Sequence, residues 1–171
     1  MKLDANSALR HLDRLNAAAF ALCGNRADAE DLVQETFVTL LRRPRRLRGG
    51  SEVAYLMTML RNRFIDERRA LARRQLSLGE YEIDESADPR AGLRPDRVAE
   101  DRETLGVVHA LPTPFRETVV AVDVLGLSYK EAAAALDVPV GTIMSRLARG
   151  RDRVVRTLEP APERRGLVAC G

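Results

Sequence analysis

The fold is decided by residues 127–147, which read LSYKEAAAALDVPVGTIMSRL. Ser128 stands three residues before Glu131, which is the spacing of a capping box, and the pattern predicts a helix from this point to Leu136. Pro139 cannot continue that helix, while its fixed φ suits a connection to a second one. Two helices joined by so short a turn are typical of a helix-turn-helix.

The second helix of this motif is predicted over Gly141–Val154. Ala133 is small enough for a close helix crossing, and apolar residues at positions 136, 138, 143 and 147 are spaced to form the shared core. Hydroxyls and guanidinium groups near the start of the second helix can reach base edges, and later arginines can reach phosphates. The outward positions hold Thr142, Ser145, Arg146, Arg149, Arg151 and Arg153. The alternative interpretation is a solvated basic face on an ordinary helical hairpin.

The positions at which glycines and prolines interrupt the helical spacing predict two small helical domains. Residues 1–75 carry apolar residues at helical spacing and form the first domain, and residues 98–159 contain the helix-turn-helix and form the second. Residues 76–97 combine glycines, prolines and acids, which predicts a flexible acidic linker, and residues 160–171 form a loose tail. With 4% aromatic residues, no tryptophan and recurrent Ala and Leu, the predicted fold class is all-α.

The composition indicates a cytoplasmic protein without a metal or cofactor. Cys23 and Cys170 are far apart and lack zinc-site spacing, which favours a reducing compartment. The charged N-terminus and the absence of a long apolar run predict no signal peptide and no membrane insertion. We interpret His11 and His109 as packing or surface groups, and Cys23 as a small core residue, with a redox-sensing thiol as the alternative.

The first domain contains a strongly basic segment. Residues 42–74 carry eleven arginines against three acids, and the basic residues of the chain are all arginine except Lys2 and Lys130. Flat and amide side chains between these arginines are suited to hold unstacked bases. They are Leu47, Tyr55, Asn62 and Phe64. The segment therefore predicts binding of single-stranded DNA.

An acidic amphipathic helix is predicted immediately upstream, over residues 27–41. Its first turns carry Asp28, Glu30, Asp31 and Glu35, where negative charge suits the helix dipole. An acidic face beside a basic segment predicts a basic protein surface as a second partner. The alternative is an ordinary solvated helix.

Both halves of the chain resemble the sigma factors of bacterial RNA polymerase. Residues 29–37, AEDLVQETF, are similar to region 2.2 of that family, which docks on the polymerase clamp. Residues 55–69, YLMTMLRNRFIDERR, resemble regions 2.3 and 2.4, which bind and melt the −10 promoter element. Residues 126–133 and 138–147 resemble region 4.2, which reads the −35 element. No segment resembling region 3 stands between the region 2 and region 4 motifs. In this respect the chain resembles the extracytoplasmic-function group of the family.

The resemblance implies three sets of contact residues. The set implied for polymerase binding is Asp31, Leu32, Gln34, Glu35 and Phe37. The set implied for −10 binding and melting is Leu47, Arg48, Tyr55, Arg61, Asn62 and Arg63. The set implied for −35 binding is Thr142, Met144, Ser145, Arg146, Arg149 and Arg153. The family usually has Trp where Tyr55 stands and often a basic residue where Met144 stands.

The resemblance implies a transcription initiation factor and not an enzyme. Its implied partners are the RNA polymerase core enzyme, promoter DNA (duplex at −35, single-stranded at −10) and an anti-sigma factor. The acidic linker then either threads toward the RNA path or serves as a tether. One alternative is a dimeric helix-turn-helix regulator that binds DNA alone, which the acidic helix disfavours. Another is a recombinase-like enzyme, for which no nucleophile, acidic metal cluster or phosphate-binding glycine loop is apparent.

Overall fold

The computed structural model describes residues 2–3, 5–42, 45–46, 51–78 and 97–159, and these are helical almost throughout, so the all-α prediction is confirmed. The first unit contains α1 (Ala5–Leu9), α2 (Leu12–Cys23), α3 (Arg26–Arg42) and α4 (Glu52–Leu78). The second unit contains α5 (Arg97–His109), α6 (Thr113–Val119), a π-helical turn (Val120–Val124), α7 (Tyr129–Leu136) and α8 (Val140–Leu158).

One small sheet was not predicted. Strand β1 (Lys2–Leu3) pairs antiparallel with β2 (Arg45–Arg46), with Leu3 opposite Arg45. The side chain of Leu3 is fully buried, so the start of the chain is fixed against the segment that follows α3. A pair of two-residue strands is too short to leave a periodic signal in the sequence.

The core of the first unit lies between α2, α3 and α4. Their inward faces carry Leu, Ala and Met at helical spacing, and burial of these residues stabilises the unit. The fully buried large side chains are Leu15, Leu22, Leu32, Leu40, Leu56, Met57 and Leu60. At the start of α4, the carboxylate of buried Glu52 accepts contacts from His11 Nε2 at 3.2 Å and Arg10 Nη2 at 3.3 Å, which ties α4 to the start of α2.

The second unit is built around α8, which packs against α6 and α7. Pro112 precedes α6, and a π turn follows it, in which the Leu125 N–H donates to the Val120 carbonyl. The buried side chains at the centre include Val120, Leu125, Ile143 and Leu147.

The observed helix bounds differ modestly from the predicted ones. Helix α3 exceeds its predicted range by one residue at each end, and α8 continues to Leu158. Helix α4 continues three residues into the predicted linker. The rest of that linker, apart from Arg97, and the predicted tail lie outside the described residues. In the part of the chain that is described, we find no helix both long and apolar enough to cross a membrane.

Candidate nucleic-acid interface

The first helix of the helix-turn-helix is capped as the sequence predicted. The Ser128 hydroxyl accepts the Glu131 N–H at 3.3 Å, and the Glu131 carboxylate accepts the Ser128 N–H at 2.8 Å. These reciprocal bonds satisfy donors that a helix N-terminus leaves free. The Ser128 hydroxyl also donates to the same carboxylate, and this hydrogen bond is the main cause that lowers the pKa of Glu131. The predicted capping box is confirmed.

The turn between α7 and α8 is likewise determined by residues within the turn itself. Asp137 adopts φ 54°, in the left-handed region that Asp tolerates better than most residues, and its N–H donates to the Ala133 carbonyl. Pro139 then supplies the N-cap of α8, and its carbonyl accepts the Thr142 N–H at 2.9 Å. Ala133 is buried at this crossing, as its small size predicted. The geometry places the start of α8 at the surface of the unit.

The predicted −35 residues occupy the exposed and flanking positions of α8. Met144, Ser145 and Arg149 are exposed, whereas Thr142 and Arg146 are partly buried. The Arg153 guanidinium lies 4.3 Å from the Phe115 ring centroid, a cation–π contact that fixes its stem against the unit. The exposed face thus offers guanidinium, hydroxyl and thioether groups near a helix N-terminus, which is the chemistry that reads base edges in a major groove.

Two residues of α8 have structural roles that the sequence analysis missed. Arg151, expected to face outward, reaches back to Asp123 of the π turn with its Nε 3.0 Å from the carboxylate. Gly150 is buried at the crossing with α6, where a Cβ would lie 2.7 Å from Val119 Cγ2. A glycine inside a helix costs about 1 kcal/mol relative to alanine, so its presence was a readable signal of close approach.

The predicted −10 residues lie on α4 where the structure describes them. Asn62 and Arg63 are exposed, and Tyr55 is partly buried. Leu47 and Arg48 lie outside the described residues. Phe64, expected to hold a base, instead belongs to the core, so its ring is not available for stacking.

The acidic helix meets the basic segment directly. Asp31, Gln34 and Glu35 are exposed on α3, and Glu35 forms an ion pair with Arg63 of α4. Arg63 also donates from Nε to Glu67 at 2.9 Å. One residue implied for polymerase binding is therefore paired with one implied for DNA binding.

The two apolar members of the polymerase set differ in exposure. Phe37 is partly buried, but Leu32 is fully buried in the core of the first unit. A side chain without accessible surface cannot touch a partner, so the assignment of Leu32 as a contact is corrected: it supports α3 from inside. Its place in the apolar periodicity of this helix already pointed inward.

Arg61, the remaining −10 residue on α4, is held by the second unit. Its Nε lies 3.0 Å from the Glu117 carboxylate of α6, although the N–H is not aligned for a hydrogen bond, so the contact is an ion pair. Arg61 keeps 23% of its side chain exposed and Glu117 only 7%. The docked units therefore cover one of the groups expected to bind DNA.

The docking surface is the contact between the two units, to which Arg61 and Glu117 belong. The same surface also caps the C-terminal end of α2. His109 donates from Nδ1 to the Leu22 carbonyl at 3.1 Å, and Arg116 donates to that carbonyl from Nη1 at 3.1 Å. Donors and positive charge are favourable there because a helix C-terminus has free carbonyls and the negative end of its dipole. Gly24, at φ +80°, leaves the space: a Cβ would lie 2.4 Å from His109 Nε2. Burial, and then the charge of Arg116, lowers the pKa of His109.

The cysteine prediction concerns the C-terminal end of α2, and the metal prediction concerns the described residues as a whole. Cys23 packs beside the core, as expected, and burial raises the pKa of its thiol to about 12, so the thiol is protonated near neutral pH. Across the described ranges, no group of His, Cys, Asp or Glu is arranged to hold a metal ion.

Each of the two helical units is matched by a model of a known protein family. The family model for Sigma-70 region 2 matches residues 8–74, and the one for Sigma-70, region 4 matches residues 102–154. The ECF RNA polymerase sigma factor EcfG of Rhodopseudomonas palustris is 36% identical over 82% of this chain and 76% of its own length. The chain belongs to the ECF sigma factors.

Other ECF sigma factors extend this relationship. SigE of Mycolicibacterium smegmatis is 34% identical over 85% of this chain, which spans 57% of that longer protein. SigC of Mycobacterium tuberculosis is 35% identical over 77% of this chain and 71% of its own length.

Solved structures share the fold. The sigma factor RpoE from Bartonella quintana, in complex with the anti-sigma factor NepR, superposes with a TM-score of 0.72 at 27% identity, over 90% of this chain and 94% of that one. CnrH, in complex with the cytosolic domain of CnrY, gives 0.58 at 22% identity over 90% of this chain and 85% of that one, which indicates a common fold.

Proposed function

We propose that this ECF sigma factor directs the RNA polymerase core enzyme to promoters, with its second unit on the −35 element and its first unit on the −10 element. The observation that carries the proposal is the pairing of a capped helix-turn-helix, whose α8 exposes Ser145 and Arg149, with an α4 that exposes Asn62 and Arg63. The two matched family regions occur in the order that such a function needs.

The proposed mechanism makes and breaks no covalent bond, so the protein is not an enzyme. Separating base pairs costs about 1.4 kcal/mol per stacking step, and binding of the exposed bases offsets this cost. Asn62 is exposed on α4, and its amide can pair with the edge of an unstacked base. The exposed acids of α3 attach this unit to a basic surface of polymerase, which adds the binding energy that the isolated chain lacks.

The docked arrangement must open for both elements to be read. The −10 and −35 elements lie about 25 base pairs apart, which is roughly 85 Å at 3.4 Å per base pair. A compact chain of 171 residues has a radius of gyration of only about 16 Å. We therefore propose that the units separate on polymerase, which also releases Arg61 from Glu117 for contact with DNA.

The proposed compartment and regulator of the protein follow from its proposed partners. Polymerase and promoter DNA place the protein in the cytoplasm. An anti-sigma factor is proposed as its regulator because the sigma factor RpoE, which shares this fold, was solved in complex with the anti-sigma factor NepR. A dimeric regulator that binds DNA alone has no use for the exposed acids of α3, so we do not favour it.

The proposal is tested by transcription in vitro with core polymerase on a genomic promoter library, with and without the full chain. Added protein is expected to create a defined set of start sites that share two sequence elements. If core polymerase gives the same transcripts with and without the chain, the proposed function is wrong.

Asn62→Ala is expected to impair promoter opening while −35 binding is retained, because the lost amide holds a base on α4 and not on α8. Permanganate footprinting of melted thymines measures opening, and protection of the −35 duplex measures binding. Asn16→Ala, at an exposed position of α2, is the matched control. An unchanged permanganate pattern would remove Asn62 from the base-binding set.

Arg146→Ala is expected to weaken −35 recognition by about 1–3 kcal/mol, because a guanidinium that forks onto a base or phosphate is lost. Competition binding of the holoenzyme to promoter DNA measures the change. Arg156→Ala removes an exposed arginine that pairs with Asp152 near the other end of α8 and serves as control. Equal losses for both variants would indicate a general charge effect and contradict the assignment.

A further inference from the structure

The N-terminal half of α8 carries exposed apolar surface at a place where polar groups would be expected. Met144 is 54% exposed and Val140 is 38% exposed, and the two lie one helical turn apart on the same edge of the helix. More than half of the surface of Met144 is left unburied by the fold, and the core of the unit is closed beneath it by Ile143 and Leu147.

The side chains next to the apolar edge formed by Met144 and Val140 indicate which kind of partner binds there. Ser145 and Arg149 are exposed next to Met144, and Arg146 flanks the same helical turn. Hydroxyl and guanidinium groups suit base edges and phosphates, so the apolar edge lies within a surface whose chemistry fits duplex DNA. The first residues of a recognition helix are also those that go deepest into the major groove.

The major groove offers one apolar group, which is the C5-methyl of thymine. A methionine side chain is long, flexible and polarizable, so it can follow the position of such a methyl group better than a branched side chain. A basic residue at this position would instead select an acceptor on a base edge or a phosphate.

We propose that Met144, with Val140 beside it, contacts a thymine methyl group in the −35 element and so sets part of the promoter preference of this chain. The inference rests on the proposed function, because it assumes that α8 reads duplex DNA. It assigns an A·T pair, with thymine on the strand facing Met144, to one position of the recognised site.

The test removes the methyl group and nothing else. A −35 site is first selected from a random duplex library with core polymerase and the full chain, and each thymine is then replaced singly by deoxyuridine. Loss of one buried methyl group at the contacted position is expected to weaken holoenzyme binding about fourfold. Met144→Ala is expected to bind the thymine and deoxyuridine duplexes equally, and Met144→Leu is expected to keep the dependence.

Val155→Ala is the matched control, since Val155 is exposed on α8 about 16 Å further along the helix at 1.5 Å per residue. It is expected to keep the full methyl dependence. The proposal is overturned if the wild type tolerates deoxyuridine at every position, or if Met144→Ala keeps the dependence. It is also overturned if Met144→Ala, unlike Val155→Ala, weakens association with core polymerase without DNA, because the edge is then a protein-docking surface. Failure to select any site would instead reject the proposed function, and this inference with it.

Discussion

Leu147→Ala is expected to lower the free energy of unfolding of the second unit by about 2–5 kcal/mol. Leu147 is 2% exposed, and together with Ile143 it joins α8 to the rest of the unit. The substitution leaves helix propensity almost unchanged, so the loss comes from the missing contacts and the cavity that remains. Since small domains are stable by only about 5–15 kcal/mol, this loss removes a large fraction of the stability of the second unit and is expected to lower its unfolding midpoint clearly.

Urea denaturation followed by circular dichroism at 222 nm measures this effect. Leu158→Ala makes the same chemical change at an exposed position of α8 and is expected to shift stability by about 0.5 kcal/mol or less. Similar losses for the two variants would mean that Leu147 does not hold the core of this unit.

Glu117→Ala is expected to shift the chain from the docked to the separated arrangement, by about 1–3 kcal/mol. Without the carboxylate, the Arg61 guanidinium stays largely covered at the docking surface and lacks its charge partner, so separation returns it to water. The substitution removes none of the buried apolar side chains within the helices, so helicity is expected to be retained. Small-angle X-ray scattering measures the expected increase in radius of gyration.

Asp152→Ala is the control for this change, because it removes a carboxylate from an ion pair within α8 and not from the docking surface. It is expected to leave the radius of gyration unchanged. If Glu117→Ala lowers the unfolding midpoint without any change in dimensions, then Glu117 stabilises α6 within its own unit and the docking account is wrong.

The helix-turn-helix was predictable nearly residue by residue because its determinants are local. The capping box of Ser128 and Glu131 and the break at Pro139 act over four residues or fewer, so the sequence contains the whole interaction. The predicted crossing at Ala133 followed from the same few residues, and burial confirms it.

Docking between the units was not predictable by these arguments. Arg61 and Glu117 are brought together by packing of α2 against the second unit, and neither residue has a neighbour in sequence that signals the pair. Arg151 is exposed as predicted, but the same reason applies to its ion pair with Asp123 on the π turn, which was not foreseen. Charge on a helix face shows that a side chain is polar, but its partner depends on tertiary contacts.

The wrong assignments among the contact residues had a different cause. The assignments of Leu32 and Phe64 came from motif likeness and aromatic character, whereas apolar spacing gave the better indication that both are buried. The roles of Asp31, Glu35, Asn62 and Arg146 stay predictions, and the variants above address those of Asn62 and Arg146.

The most direct test of the proposed function is footprinting of a selected promoter with the chain alone, with core polymerase alone, and with both together. We expect −35 protection and permanganate-reactive thymines at −10 in the combined sample, with little of either signal from each component by itself. A full −35 footprint from the chain alone, unchanged when core polymerase is added, would contradict it and favour a regulator that binds DNA independently.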